Sequence, residues 1–383
     1  MRVHLEDLRS KKKAIRAVKD ICVDKVVTSS LAEKSRFFVF KIEEVSPPVA
    51  TIIKQIAISR GTDAAVHRKV IVNGIAESNV LLPGSIRELK LIAKELKKQP
   101  FGLPQIGLEI LRILKEEDKK RDYKIMGVLN ITPDSFSDGG EYFSSRDARG
   151  RFDEIVKDGA DIIDVGAESS RPNAEPVDEE EELHRLKGVL PLFSYSPIPV
   201  SIDTRKSRIA REALSSGAKI LNDVSALRMD QEMVEIAKEF NATVVLMHMK
   251  GTPKTMQKNP YYDDVIGEIR DFFLERIEFC FSHDISHDKI ILDPGIGFGK
   301  RQIDNLTILN NLEVFTSLGF PILIGTSRKS FIGNITRRPP KERLSGSLAA
   351  LVYSYLRGAS IFRVHDIQEA KDTLAVISNL EDV

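Results

Sequence analysis

Three side chains that can accept hydrogen bonds, Asp203, Asn222 and Asp293, each stand directly behind a short apolar run, and Lys329 follows a fourth run as a donor with positive charge. Gathered in one dry pocket, such a set can hold the polar edge of a flat heterocycle, because a buried donor or acceptor left unpaired is costly. Arg171, Arg363 and His365 could add an anion site, since the forked guanidinium suits an anion with several oxygens. A lone Asp behind an apolar run is also a common helix N-cap. That alternative fails at Asp293, which precedes Pro294 and a loop holding Gly295, Gly297 and Gly299, where no helix starts at once.

These residues need rigid elements behind them. Ile125–Leu129 closes on Asn130, and Asp161–Val165 closes on G-A-E-S-S-R-P. Pro199–Ile202 closes on Asp203, Ile220–Leu221 on Asn222, Thr243–Leu246 on Met247-His248-Met249, and Lys289–Leu292 on D-P-G-I-G-F-G-K. Pro321–Ile324 closes on G-T-S-R-K-S, and Ser360–Phe362 on Arg363-Val364-His365-Asp366. Short apolar runs that stop at turn residues read as buried strands. Segments of helical period, such as Arg146–Gly159, Asp178–Leu190 and Ser207–Gly217, lie between them. Strand and helix alternating eight times over ~250 residues is the pattern of a (β/α)8 TIM barrel, whose site lies at the carboxyl ends of the strands. An open doubly wound sheet would alternate as well.

From Lys124 to about Leu380 the chain resembles the dihydropteroate synthases of the folate pathway. The resemblance rests on N-I-T-P-D-S-F-S-D-G-G at Asn130, E-S-S-R-P at Glu168, S-I-D-T at Ser201 and I-L-N-D-V at Ile220. It continues with L-M-H-M-K-G at Leu246, L-D-P-G-I-G-F-G-K at Leu292, T-S-R-K-S at Thr326 and F-R-V-H-D at Phe362. It implies that Asp203, Asn222, Asp293 and Lys329 bind a dihydropterin, with Met247 and Phe298 near the ring faces. It implies diphosphate on Asn130, Arg171, Arg363 and His365, Mg²⁺ on the amide oxygen of Asn130, and 4-aminobenzoate near Ser170, Arg171 and Ser330. Asp203, Lys329 and Arg363 would then be the catalytic residues, as the 4-aminobenzoate amine displaces diphosphate from hydroxymethyl-dihydropterin diphosphate. Gly166-Ala167, Ser170 and Asn173 depart from the family's G-G-E-S-T-R-P-G, and Ile296 stands where an aromatic is common. A rival on the same barrel is a methyltransferase passing a folate methyl group to a corrinoid protein. It has no need of the Asn130 loop, T-S-R-K-S or Arg363-Val364-His365. A non-catalytic scaffold would show gaps among the polar strand ends, and there are none.

The chain has 383 residues and a formal net charge of +1, so bulk charge does not favour nucleic acid or an acidic membrane surface. The first residues lack the apolar core of a signal peptide, no apolar run nears ~18 residues, and Cys22 and Cys280 form no disulfide framework. A cytoplasmic protein, forming a homodimer, is expected. Residues 121–383 are assigned to the barrel and 1–120 to a small α/β domain with strands at Phe37–Ile42 and Lys69–Val72 and helices at Val49–Ser59 and Ser85–Lys98. Pro100 and Pro104 read as breakers, and Lys115–Asp122 as a linker or final helix. The first domain is expected to serve structure or assembly, with regulation or substrate handling as the alternative. Cys280, His283 and His287 are read as surface residues rather than zinc ligands, and the Gly295–Lys300 loop as no nucleotide loop, since no Ser or Thr follows Lys300. The polar loops 131–145 and 169–174 are expected to close on diphosphate, making 4-aminobenzoate bind second.

Overall fold

The computed structural model describes residues 3–4, 6–8, 10–118, 122–131, 145–169 and 177–382. The chain divides into two compact units, Met1–Lys120 with Asn379–Val383, and Arg121–Ser378.

The first unit runs α1 (Lys11–Asp20), α2 (Lys25–Lys34), β1 (Phe37–Val45), α3 (Pro47–Ser59), β2 (Ala65–Val66), β3 (Ser78–Ser85), α4 (Ile86–Leu96) and α5 (Leu103–Glu116). Its antiparallel sheet has the order β1-β3-β2, and Ile53, Leu82, Leu89 and Ile110 belong to its core. Ser85 caps α4: its Oγ accepts from Glu88 N, while the Glu88 carboxylate accepts from Ser85 N at 2.8 Å. Two expectations need correction. Lys69–Val72 is a turn, because only Val70 is buried while Ile71 and Val72 are 85% and 73% exposed; the strand is Ser78–Ser85. Pro104 does not break the pattern but lies in the first turn of α5, where a missing N–H costs nothing.

The second unit alternates strand and helix: β4 (Lys124–Asn130), α6 (Ser145–Lys157), β5 (Ile162–Gly166), α7 (Glu179–Leu186), β6 (Val200–Asp203), α8 (Ser207–Ser215), β7 (Ile220–Asp223) and α9 (Met233–Glu239). It continues with β8 (Thr243–Met247), α10 (Val265–Ser282), β9 (Ile290–Asp293), α11 (Gln302–Asn310), α12 (Leu312–Thr316), β10 (Leu323–Ile324), α13 (Ser330–Thr336), α14 (Leu344–Leu356), β11 (Ile361–Val364) and α15 (Ile367–Asp382), of which the part up to Ser378 belongs to this unit. The eight strands are parallel in the order β10-β11-β4-β5-β6-β7-β8-β9, and a bridge from Leu292 to Ile322 joins the two ends. This is the (β/α)8 barrel. Cys280 is not a surface residue: α10 buries it completely, while the His283 ring lies 4.3 Å from Phe279 and the His287 ring stacks 4.2 Å from Phe320.

The barrel interior explains where the site lies. Met126, Ile162, Ile220, Val245, Ile291, Leu323 and Ile361, one from each of seven strands, pack into an apolar plug. Successive strand residues face opposite sides, so the residue two places on faces inward again, one layer nearer the carboxyl end. Those residues are Val128, Asp164, Asn222, Met247, Asp293, Gly325 and Arg363. The plug closes one end of the barrel, and the next layer becomes the floor of a polar cavity.

Candidate active site

One cavity brings together Asp203 from the end of β6, Asn222 from β7, Met247 from β8, Asp293 from β9 and Arg363 from β11. Phe298, Lys329 and His365, from the segments that follow β9, β10 and β11, complete this set. Val224, Gly325 and Ser327 line it too and were not singled out from the sequence; Ile296 is also there, fully buried. Ser327 lies in T-S-R-K-S, and its Oγ is 3.0 Å from His365 Nδ1. Asn130 ends β4 half-buried, outside the cavity lining, and Ser330 is exposed in the first turn of α13. Ser170 and Arg171 lie outside the described residues, as do Asn173 and most of the two loops expected to close.

The carboxylates are held in different ways. Asp293 Oδ1 accepts from Gly295 N at 2.7 Å, leaving Oδ2 for other donors. Burial pushes the Asp293 carboxyl up, against the Gly295 N–H and the Lys329 charge. Burial, and next the charge of Asp164, push Asp203 up to about 7, with Arg363 opposing. Lys329 is brought down to about 8 by burial, with Asp293 opposing, and its Nζ lies 4.1 Å from the Phe298 ring centroid. Burial, with Arg363 adding to it, lowers His365 to about 4, so its imidazole is neutral near pH 7.

The glycine-rich loop is pressed against the end of β8. Gly295 and Gly299 have φ of +67° and +64°, and a Cβ there would lie 2.1 Å from His248 O and 2.3 Å from Lys250 O. Lys300 secures this contact from below: buried, it donates to the carbonyls of His248 and Phe298, each at 3.0 Å, and lies 3.0 Å from His248 Nδ1. Burial lowers Lys300 to about 7, against the Asp293 charge. Its Nζ is committed to these His248 and Phe298 atoms, which holds the loop carrying Phe298 against the residue that follows β8.

One polar residue behind the cavity lining was hidden in the sequence. Asp164, in the run assigned to β5, is fully buried and bonds both Arg363 and Asn222. A carboxylate within an otherwise apolar strand, two places beyond a plug residue, was the signal available.

A sequence profile of the pterin binding enzyme family matches residues 126–365. A dihydropteroate synthase of Synechocystis is 45% identical over 251 residues, 65% of this chain and 86% of that protein. A Helicobacter pylori protein named bifunctional dihydropteroate synthase/dihydropteroate reductase is 36% identical over 370 residues, 96% of both chains. The structure of Xanthomonas albilineans dihydropteroate synthase with 4-aminobenzoic acid superposes with a TM-score of 0.64 at 39% identity, covering 68% of this chain and 94% of that one. With its parallel barrel and an acceptor-lined cavity at the carboxyl ends of the strands, the chain belongs to the pterin-binding enzyme family, among the dihydropteroate synthases.

Proposed function

We infer that the chain condenses hydroxymethyl-dihydropterin diphosphate with 4-aminobenzoate and releases diphosphate, as a step of folate biosynthesis. The observation that carries the residue roles is the convergence of Asp203, Asn222 and Asp293 with Lys329 and Arg363 on one cavity. Asp293 and Asn222 accept from the amino edge of the pterin, and Lys329 donates to its carbonyl side. Met247 and Phe298 bound the ring faces. Arg363 and His365 face the diphosphate, joined by Asn130 and Arg171. Ser170, Arg171 and Ser330 form the 4-aminobenzoate side. The amine nitrogen forms a bond to the pterin methylene carbon as the carbon–oxygen bond to diphosphate breaks. The nitrogen then loses its proton to solvent, and the Asp203 carboxylate stabilises positive charge developing at the methylene.

Mg²⁺ would be held by the amide oxygen of Asn130, at the end of β4, with phosphate oxygens and water as its other ligands, since magnesium takes few ligands from protein in such sites. Among the described residues no cluster of His, Cys, Asp and Glu could hold a metal by itself. Held at Asn130, it would supply positive charge to offset that of the departing diphosphate. The test mixes the protein with hydroxymethyl-dihydropterin diphosphate, 4-aminobenzoate and Mg²⁺. Equimolar dihydropteroate and diphosphate are expected, and their absence from folded protein refutes the reading. The expected setting is a cytoplasmic homodimer; no described helix is long and apolar enough to cross a membrane.

A second reading concerns residues 1–120. The Synechocystis synthase aligns with 65% of this chain, whereas the Helicobacter pylori bifunctional protein aligns with 96% of it. The added length therefore accompanies a reductase named in that relative. We propose that this chain, too, reduces dihydropteroate. A hydride from a reduced nicotinamide or flavin and one proton would add across a pterin C=N bond, giving tetrahydropteroate. Incubating the whole protein with dihydropteroate and each reductant, followed by chromatography, should reveal tetrahydropteroate. Unchanged dihydropteroate with both reductants would leave the first unit a structural or assembly role.

A further inference from the structure

We propose that Asp164 is a positioning residue of this site, fixing from inside the barrel both the direction of the Asn222 amide and the reach of the Arg363 guanidinium. The inference rests on the reading of Asn222 and Arg363 as ligand-binding residues. Asp164 is fully buried on β5, yet its partners stand on β7 and β11. Asn222 Nδ2 lies 3.2 Å from each Asp164 oxygen, and Arg363 Nε donates to Oδ2 at 2.6 Å.

Asn222 by itself is ambiguous, since its amide can present oxygen or nitrogen to a ligand. With Asn222 Nδ2 donating to both Asp164 oxygens, the Asn222 carbonyl oxygen is left for the cavity. An acceptor in that place is what the amino edge of a pterin requires. Arg363 is fixed in the same way. Nε is committed to Asp164 and Nη2 to Asp203 at 3.0 Å, which orients the plane of the guanidinium and leaves its remaining N–H groups for an anion.

Stability alone gives little reason for this carboxylate. Ile162, two residues earlier and facing the same interior, belongs to the apolar plug. Burying an ion pair often contributes no more to stability than well-packed apolar residues would. Asp164 spends its charge on two residues that both line the cavity. It also acts on Asp203 through space as a like charge. The other charged groups acting on Asp203 are Arg363, Glu182, Asp223 and Lys329.

The test compares Asp164→Asn, Asn222→Ala and the exchange Asp164→Asn/Asn222→Asp. In the exchange, the new amide at 164 donates to the new carboxylate at 222 and accepts from Arg363, so both contacts are rebuilt. Asp164→Asn is expected to raise the pterin KM about tenfold or more while the 4-aminobenzoate KM changes less than about threefold. The acid limb of its rate profile should also move to lower pH, because a like charge beside Asp203 is gone. The exchange should recover most of the lost pterin affinity. A folded Asp164→Asn protein with pterin KM within about twofold of the parent and an unmoved acid limb overturns the proposal. If Asn222→Ala also leaves the pterin KM unchanged, the reading of Asn222 falls with it. Should Asp164→Asn not fold, the exchange decides: folded and tight-binding supports the proposal, folded and weak overturns it. Failure of both to fold makes Asp164 a framework residue and overturns it as well.

Discussion

Asp293→Asn is expected to weaken pterin binding by about 2–4 kcal/mol, roughly 30- to 1,000-fold. The size follows from how the parent carboxylate is committed. Oδ1 already accepts from Gly295 N at 2.7 Å, in a loop that Gly295, Gly299 and Lys300 press against the end of β8. An amide here keeps its oxygen on that N–H and turns its NH₂ to the ligand. Donor then faces donor, in a residue only 7% exposed. Turning the amide over moves the clash to Gly295. Titration calorimetry with a non-reacting pterin measures the loss, and an affinity within about twofold of the parent would remove Asp293 from the pterin site.

Arg363→Met should be the most damaging single change to both stability and turnover. Arg363 lies between two carboxylates, the buried Asp164 and the half-buried Asp203, with Nε 2.6 Å from Asp164 and Nη2 3.0 Å from Asp203. Removing one member of a buried pair costs about 3–5 kcal/mol, because the remaining charge is left uncompensated. Asp203, already held at about 7 by burial and by Asp164, then loses the cation that opposed both and rises further. Its folded value lies above its unfolded one, so the stability it contributes is complete below the unfolded value and is lost as pH rises through the folded value. The variant should therefore lose more thermal stability, relative to the parent, at pH 8 than at pH 5. Its rate profile should move its acid limb upward, opposite in sign to Asp164→Asn. With one diphosphate partner gone, kcat should fall on the order of 10²–10³-fold. Equal destabilisation at both pH values, with the acid limb in place, would contradict the assigned coupling between Arg363 and Asp203.

Much of this was open to sequence reading because a parallel strand ends where its apolar run ends. Asn130, Asp203, Asn222, Asp293 and Arg363 each stand at the end of a run that forms a strand. Buried strands tolerate little besides apolar residues until the chain emerges, so a polar residue at the boundary falls at the barrel mouth. The first unit was less legible for local reasons. Pro104 was read as a breaker although it opens α5, and Lys69–Val72 has the composition of a strand but too little burial to be one. Cys280 shows the converse: a helix that carries a charged face also has a buried one, and position on the helix, not the neighbouring charges, set its place.

What the sequence determined by itself was the alternation of strand and helix, the end of the barrel that carries the site, and the residues waiting there. Period-two geometry even marks Asp164 as inward-facing, two places beyond Ile162. It does not say what an inward residue meets. Asp164 reaches Asn222 from β7 and Arg363, 199 positions away on β11, because β11, β4, β5, β6 and β7 are consecutive in the sheet and its curvature turns their inward faces toward one another. Local sequence sets the face of each strand, whereas the partner on a strand once removed is set by strand order, curvature and stagger, which are properties of the whole sheet.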